Sequence, residues 1–108
     1  MTDKDLRAIP KVELHRHLEC SIRFSTMREL IEAAGLESPA NVDDFKKMYL
    51  VTEPMLDLEA VLRKFLATQK ILSSEEILAR ITFEQIEDAY HEGIRILELR
   101  YAPTFVRQ

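Results

Sequence analysis

Residues 11–17 read Lys-Val-Glu-Leu-His-Arg-His, and residues 94–101 read Ile-Arg-Ile-Leu-Glu-Leu-Arg-Tyr. The first stretch alternates in polarity and the second is rich in leucine and β-branched residues, as strands are. The residues between them carry helix signals, and a strand, helix, strand order favours parallel pairing through a right-handed crossover. The sequence therefore predicts an α/β unit whose two strands lie side by side.

Two helix starts are indicated in the first half of the connection. Ser25 or Thr26 is expected to cap a helix over 26–34, with Glu29 completing a capping box for Thr26. Gly35 stands where a left-handed C-terminal residue belongs. Asn41 is expected to cap a short helix that runs to residue 46.

The second half of the connection predicts two longer helices. Asp57 is expected to cap an amphipathic helix, and Ser73 with Glu76 fits a capping box for a helix that ends near Gly93. Each helix has apolar residues at helical spacing, for which we expect burial. They are Leu58, Val61, Leu62, Phe65 and Leu66 in the first helix, and Ile77, Leu78, Ile81, Ile86, Ala89 and Tyr90 in the second.

The composition limits the class of protein. The chain has 108 residues, of which 46% are hydrophobic and 31% are charged, as in an ordinary folded segment of one domain. Its 15 basic and 19 acidic residues give a net charge of −4 without a basic stripe, so we expect neither a nucleic-acid nor a membrane partner. A single cysteine and no signal-peptide pattern predict a cytoplasmic protein.

His15 and His17 form the pattern with the most chemical content. In a strand, a spacing of two directs both imidazoles to the same side, close enough to share one cation. On spacing alone, the stronger interpretation is that the two histidines have no metal role and occur together by chance on an exposed strand. Position favours a metal site, because parallel α/β proteins carry their reactive groups at the carboxyl ends of strands.

Residues 10–21, which read Pro-Lys-Val-Glu-Leu-His-Arg-His-Leu-Glu-Cys-Ser, resemble the opening signature of the adenosine and adenine deaminases, a family of metal-dependent amidohydrolases. Residues 92–93 and 97–103 resemble the second-strand segment of the same family. The resemblance implies a (β/α)₈ TIM barrel with extra helices between strands 1 and 2. Because such a barrel takes roughly 250 residues, residues 1–108 are expected to be the amino-terminal portion of one deaminase domain, with the barrel incomplete.

The resemblance also implies a zinc ion held by His15, His17, and a histidine and an aspartate from later strands. It assigns Glu19 to the nucleoside sugar, against the alternative of a solvated loop carboxylate. Cys20 replaces the family's glycine, which puts substrate fit in question. A reactive or zinc-binding thiol is the weaker alternative for this residue.

Two further expectations concern side-chain groups. The resemblance makes Leu58, Val61, Leu62 and Phe65 a candidate hydrophobic gate over the pocket, while helical spacing alone favours core packing. Strand alternation places Glu13, Glu98 and Arg100 on the inward face, where an uncompensated charge is costly, so we expect them to form one network. The alternative is that one or more of them reaches solvent at the end of the strand.

The implied activity is zinc-dependent hydrolytic deamination of adenosine or a related 6-aminopurine, with ammonia released, in a complete protein. The residues that perform the catalytic proton transfers lie beyond residue 108 in the family, so this chain alone is expected to be inactive. Its expected ligand is a purine nucleoside or base. The alternatives are a non-catalytic fragment that self-associates, or binds a complementary chain, through open barrel edges, and another amidohydrolase with a paired-histidine site.

Overall fold

The structure is a computed structural model that describes residues 1–55 and 57–103. These residues form a mixed α/β unit with a two-stranded parallel sheet, as predicted. The elements in chain order are α1 (Asp3–Ala8), β1 (Lys11–His17), a 3₁₀ helix (Leu18–Cys20), α2 (Phe24–Ala33), α3 (Val42–Tyr49), α4 (Leu58–Gln69), α5 (Glu75–His91) and β2 (Ile94–Arg100). No helix in this described part of the chain is long and apolar enough to cross a membrane.

Three of the predicted helix ends are confirmed. Asn41 caps α3, where its side-chain oxygen accepts a hydrogen bond from the main-chain N–H of Asp43 at 2.8 Å. Asp57 caps α4 in the same way and accepts from the N–H of Ala60 at 2.8 Å. Gly35 follows α2 with φ of 72°, the left-handed conformation that glycine adopts without steric cost.

Both predicted capping boxes are wrong. Helix α2 begins at Phe24, ahead of Thr26, and the Thr26 hydroxyl donates a hydrogen bond to Glu84 of α5 instead of capping its own helix. The cap of α5 is Ser74, whose hydroxyl accepts from the N–H of Ile77 at 3.2 Å, and not its neighbour Ser73.

The start of β1 is fixed to the end of α5. The main-chain N–H of Lys11 donates to the carbonyl of Gly93 at 2.9 Å, and its ammonium donates to the carbonyl of Glu92 at 2.6 Å. Gly93 has φ of 88°, and a Cβ atom there would lie 2.1 Å from the carbonyl oxygen of Arg7. Only glycine therefore fits where α5, β1 and the end of α1 meet.

We expect Gly93→Ala to lower the free energy of unfolding clearly more than Gly35→Ala does. Both substitutions place a side chain at positive φ, which costs about 1–2 kcal/mol. Only the alanine at residue 93 also collides with main-chain atoms, whereas at residue 35 no atom beyond the adjoining residues lies within 4 Å of the added Cβ. Urea unfolding followed by circular dichroism measures both variants, and equal losses would contradict this account of the junction.

An irregularity in β1 sets which side chains share a face. Glu13 pairs with Leu97 and Arg16 pairs with Leu99, so β1 advances three residues while β2 advances two. The extra residue shifts the alternation of β1 between these positions. Glu13 and Arg16 consequently lie on the helix-covered face with Leu97 and Leu99.

The other face of the sheet is uncovered. Val12 and Ile96 pair with each other in the register and are 59% and 60% exposed. Leu14 is also exposed to more than half of its possible extent. We call Val12, Leu14 and Ile96 the open face. Apolar side chains of adjacent strands normally pack against another layer, so the open face is a surface on which such a layer would bury apolar area.

The hydrophobic core lies among α2, α3, the 3₁₀ helix and the first half of α5. Ile31, Phe45, Leu72 and Ile81 are almost fully buried at its centre. The predicted burial faces of α4 and α5 are partly wrong, because Leu58, Leu62 and Leu66 in α4 and Ile86 and Tyr90 in α5 are exposed. These side chains point away from the core.

Ion pairs join α2 to α5. Arg23 forms a two-pronged pair with Asp88, at 2.7 and 3.1 Å, and Arg80 forms one with Glu29, at 2.8 and 3.0 Å. Glu84 lies between them and contacts both guanidinium groups at 3.4 Å. The Arg23 guanidinium holds the pKa of Asp88 below its ordinary value, and Arg80 does the same for Glu29. We call this set the α2–α5 ion-pair seam.

Arg23→Gln is expected to destabilise the fold more than Arg63→Gln, because Arg63 forms a single exposed pair with Glu59. The lowered pKa of Asp88 means that the stabilisation exists above the unfolded-state pKa and is lost as the pH falls through the lower, folded-state value. In thermal unfolding between pH 2 and 7, the melting temperature of Arg23→Gln should fall less at acid pH than that of the unsubstituted chain. An unchanged pH dependence would refute the assignment.

Candidate metal centre and substrate cavity

The two histidines converge at the carboxyl end of β1. The Nε2 atoms of His15 and His17 are 2.9 Å apart, and the ring centroids are 4.9 Å apart. Both residues are exposed, and His17 pairs with Arg100 at the end of β2. One ring donates to the other at this distance, so two imidazole nitrogens already point at the same small volume.

This donor pair fits a zinc ion. Two nitrogens at about 2.0–2.1 Å from a tetrahedral ion are about 3.3 Å apart. The two Nε2 atoms would therefore need to separate by only a few tenths of an ångström to bind one ion in place of their hydrogen bond. Within residues 1–55 and 57–103, no group of three or more His, Cys, Asp or Glu side chains could hold a metal ion. In a tetrahedral site of this kind, His15 and His17 would fill two of the four ligand positions.

The expected network of Glu13, Glu98 and Arg100 is not formed. Glu13 instead makes a two-pronged pair with Arg16, at 2.8 and 3.1 Å. Arg100 pairs with Glu98 at 3.2 Å, and both of these side chains are about half exposed. The expectation fails because the irregularity in β1 places Glu13 on the helix-covered face of the sheet. His15 and His17 lie at the carboxyl end of β1 and do not share that face.

Glu19 is buried, which excludes the alternative of a solvated loop carboxylate. It lies in the 3₁₀ helix directly after β1 and is 2% exposed. Its Oε1 accepts a hydrogen bond from the main-chain N–H of Ala102 at 2.7 Å. The segment after β2 therefore holds the carboxylate in place, a contact that no side-chain pattern in the sequence could have revealed.

Glu19 lines a cavity of about 280 Å³. We call this the Glu19 cavity. Its other lining residues are Cys20, Met27, Tyr49, Leu50, Val51, Val61, Lys64, Phe65 and Thr68.

Only part of the candidate gate lines this cavity. Val61 and Phe65 line it, on the side of α4 that faces the 3₁₀ helix. Leu58 and Leu62 are 71% and 45% exposed on another side of the same helix. The structure thus brings two of the four proposed gate residues to the cavity that holds Glu19.

Cys20 has an ordinary backbone conformation. Among the described residues, only glycines have positive φ. The side chain is exposed and also lines the Glu19 cavity. Partial removal of the thiol from water at the cavity wall, followed by the negative charge of Glu19, raises the pKa of the thiol. The thiol is therefore protonated at neutral pH, which opposes a nucleophilic role for Cys20.

Paired imidazoles and a buried carboxylate at the carboxyl ends of parallel strands define an α/β protein with a candidate hydrolytic metal site. The family model for adenosine deaminase matches residues 10–108. The chain belongs to the adenosine deaminase family.

Individual relatives agree with the family match. The chain is 35% identical over 101 residues to an adenosine deaminase of Shewanella halifaxensis (strain HAW-EB4), covering 93% of this chain and 30% of that protein. It is 35% identical over 100 residues to an adenosine deaminase of Clostridium perfringens (strain SM101 / Type A), covering 92% and 30%. The chain thus spans about 30% of the length of these relatives.

A solved structure also resembles the chain. It is described as the structure of the ADAL-IMP complex and superposes with a TM-score of 0.74 at 32% identity. The match covers 94% of this chain and 29% of that one.

Zinc added to the chain is expected to shift the imidazole NMR signals of His15 and His17 together. His15→Gln should abolish the shift at His17, because one imidazole does not hold the ion. His91→Gln is the matched control, since His91 lies exposed at the end of α5, and it should leave zinc binding unchanged. Equal zinc-induced shifts at all three histidines would indicate nonspecific binding and contradict the assignment.

Proposed function

We propose that this chain forms the amino-terminal part of a (β/α)₈ barrel that catalyses zinc-dependent hydrolytic deamination of adenosine or a related 6-aminopurine. The products are the 6-oxo purine compound and ammonia. The observation that carries the proposal is the convergence of His15 and His17 at the carboxyl end of a parallel strand, in a chain of the adenosine deaminase family. A neighbour described as an IMP complex supports a purine ligand.

The chain's own residues have distinct roles in this proposal. His15 and His17 hold the zinc ion, which supplies activation of water at neutral pH. Glu19, fixed by the N–H of Ala102, accepts a hydrogen bond from a sugar hydroxyl. Val61 and Phe65 exclude water beside the substrate, and exclusion of water strengthens electrostatic interactions in the site. Leu58 and Leu62 would form the outer part of this gate.

A second candidate function is self-association without a catalytic role. It is favoured by the exposed apolar side chains of Val12, Leu14 and Ile96 on the open face. In the first proposal, the rest of the barrel would cover the same surface. A cytoplasmic setting, which rests on the single cysteine of the chain, is common to both.

A hybrid enzyme tests the leading proposal. The chain replaces the aligned 101 residues of the Shewanella halifaxensis adenosine deaminase, and ammonia release from adenosine is measured. We expect activity in the hybrid, none in the chain alone, and a loss of more than about a hundredfold for His15→Ala, beyond the 10–100-fold typical of groups that only support a metal ligand.

His91→Gln is the control variant in the hybrid and should retain full activity. An inactive but folded hybrid, together with a stable dimer of the isolated chain in sedimentation, would favour the self-associating fragment. Full activity of the His15→Ala hybrid would refute the assignment of His15 as a metal ligand.

A further inference from the structure

Glu13 and Arg16 form a partly buried ion pair within β1, three residues apart in the sequence. The guanidinium Nε and Nη2 atoms donate to the two carboxylate oxygens at 3.1 and 2.8 Å. The side chains of Glu13 and Arg16 are 32% and 15% exposed. A two-pronged pair of this kind fixes the orientation of both groups, and partial burial limits its screening by salt.

The pair depends on the irregularity in β1. In a regular strand, residues three apart point to opposite faces of the sheet, which hinders a two-pronged contact between them. The extra residue between Glu13 and Arg16 places both side chains on the helix-covered face. The pair therefore stabilises the irregular form of the strand relative to the regular form.

The same irregularity decides where the paired histidines lie. Residues 13, 15 and 17 would share one face of a regular strand. In the structure, Glu13 is partly buried whereas His15 and His17 are exposed. A shift of one residue exchanges the two faces of a strand, so loss of the irregularity would turn the imidazoles toward the helices.

Arg16 also connects this stretch of β1 to α5. Its Nη2 atom lies 3.7 Å from a carboxylate oxygen of Glu92, which directly follows α5. A cationic side chain is stabilised near the carboxyl end of a helix, where the helix dipole is negative. The contact joins the irregular stretch to the junction at which Lys11 and Gly93 fix the start of β1.

We propose that Glu13 and Arg16 are positioning residues, which hold the irregular stretch of β1 so that His15 and His17 face the metal position. In this role the ion pair acts through the backbone of residues 14 and 15 and not by contact with the ion. The proposal deepens the proposed function, because it rests on the metal site of that function.

Arg16→Gln is expected to weaken zinc binding by the 108-residue chain about tenfold, the lower end of the loss typical of groups that support a metal ligand. The titration is followed at the imidazole signals of His15 and His17. In the metal-free chain at mildly alkaline pH, where imidazoles are neutral, the coupling between the two Nε2 nuclei measures the ring–ring hydrogen bond. This coupling should decrease, because His15 lies within the irregular stretch and His17 lies beyond it.

Arg80→Gln is the matched control. It removes another two-pronged pair, with Glu29, from the α2–α5 ion-pair seam, which lies outside the sheet. We expect this variant to have a lower melting temperature but unchanged zinc affinity and unchanged coupling. Equal losses of zinc affinity in Arg16→Gln and Arg80→Gln would reflect general stability and overturn the proposal.

Arg16→Lys decides the matter if Arg16→Gln fails to fold. Lysine keeps the charge but cannot make the two-pronged contact, so zinc affinity should fall by a smaller factor of about three. Unchanged zinc affinity in this variant would overturn the proposal.

The outcomes separate this proposal from the proposed function. A folded Arg16→Gln chain with unchanged zinc affinity and coupling would overturn the positioning role and retain the function. A chain that binds no zinc, but whose rings are coupled only while Arg16 is present, would retain the positioning of the imidazoles and overturn the function. Absence of the coupling from the unsubstituted chain would overturn the positioning role without any variant.

Discussion

The parallel pairing of β1 with β2 is the constraint on which the site depends. It begins where Lys11 is fixed to Gly93 and ends where His17 pairs with Arg100. Because parallel strands end at the same edge of a sheet, the residues that follow them meet there. The 3₁₀ helix after β1 therefore lies beside the segment after β2, and the N–H of Ala102 reaches Glu19. One pairing thus places both the paired histidines and the buried carboxylate.

Helix α5 supports this edge from the other side. Gln85, which is almost fully buried, donates from its side-chain amide to the carbonyl of Leu18 at 2.6 Å. Leu18 directly precedes Glu19, so the bond fixes the start of the 3₁₀ helix. The α2–α5 ion-pair seam joins the start of α2 to Glu84 and Asp88, which lie close to Gln85 in the sequence of α5. The orientation of Glu19 consequently rests on contacts well outside the cavity.

Local signals predicted most of the fold correctly. The strands, the caps Asn41 and Asp57 and the left-handed Gly35 depend on residues close together in sequence, and all agree with the structure. The two cap errors have different causes: the choice of Ser73 over Ser74 was a local shift of one residue, and the choice of Thr26 failed because of a tertiary contact. Thr26 has the spacing of a cap, but its hydroxyl bonds Glu84.

Burial and side-chain direction were harder to predict. Periodicity shows that α4 has an apolar stripe but not whether a partner layer covers it, so the exposure of Leu58 and Leu62 could not be foreseen. The irregularity in β1 moved Glu13 to the helix side, and strict alternation contains no signal for it. The convergence of His15 and His17 remained predictable, because both residues lie at the end of the strand.

The cysteine at residue 20 affects the shape of the Glu19 cavity more than its charge. Its position has negative φ, so the backbone there does not require glycine and the cysteine introduces no strain. Compared with glycine, the side chain adds a Cβ and a sulfur to the cavity lining. Because partial desolvation and the charge of Glu19 raise the pKa of the thiol, the thiol stays neutral at physiological pH. Compared with glycine, Cys20 therefore makes the Glu19 cavity narrower but adds no charge. The charged side chains of its described lining are Glu19 and Lys64.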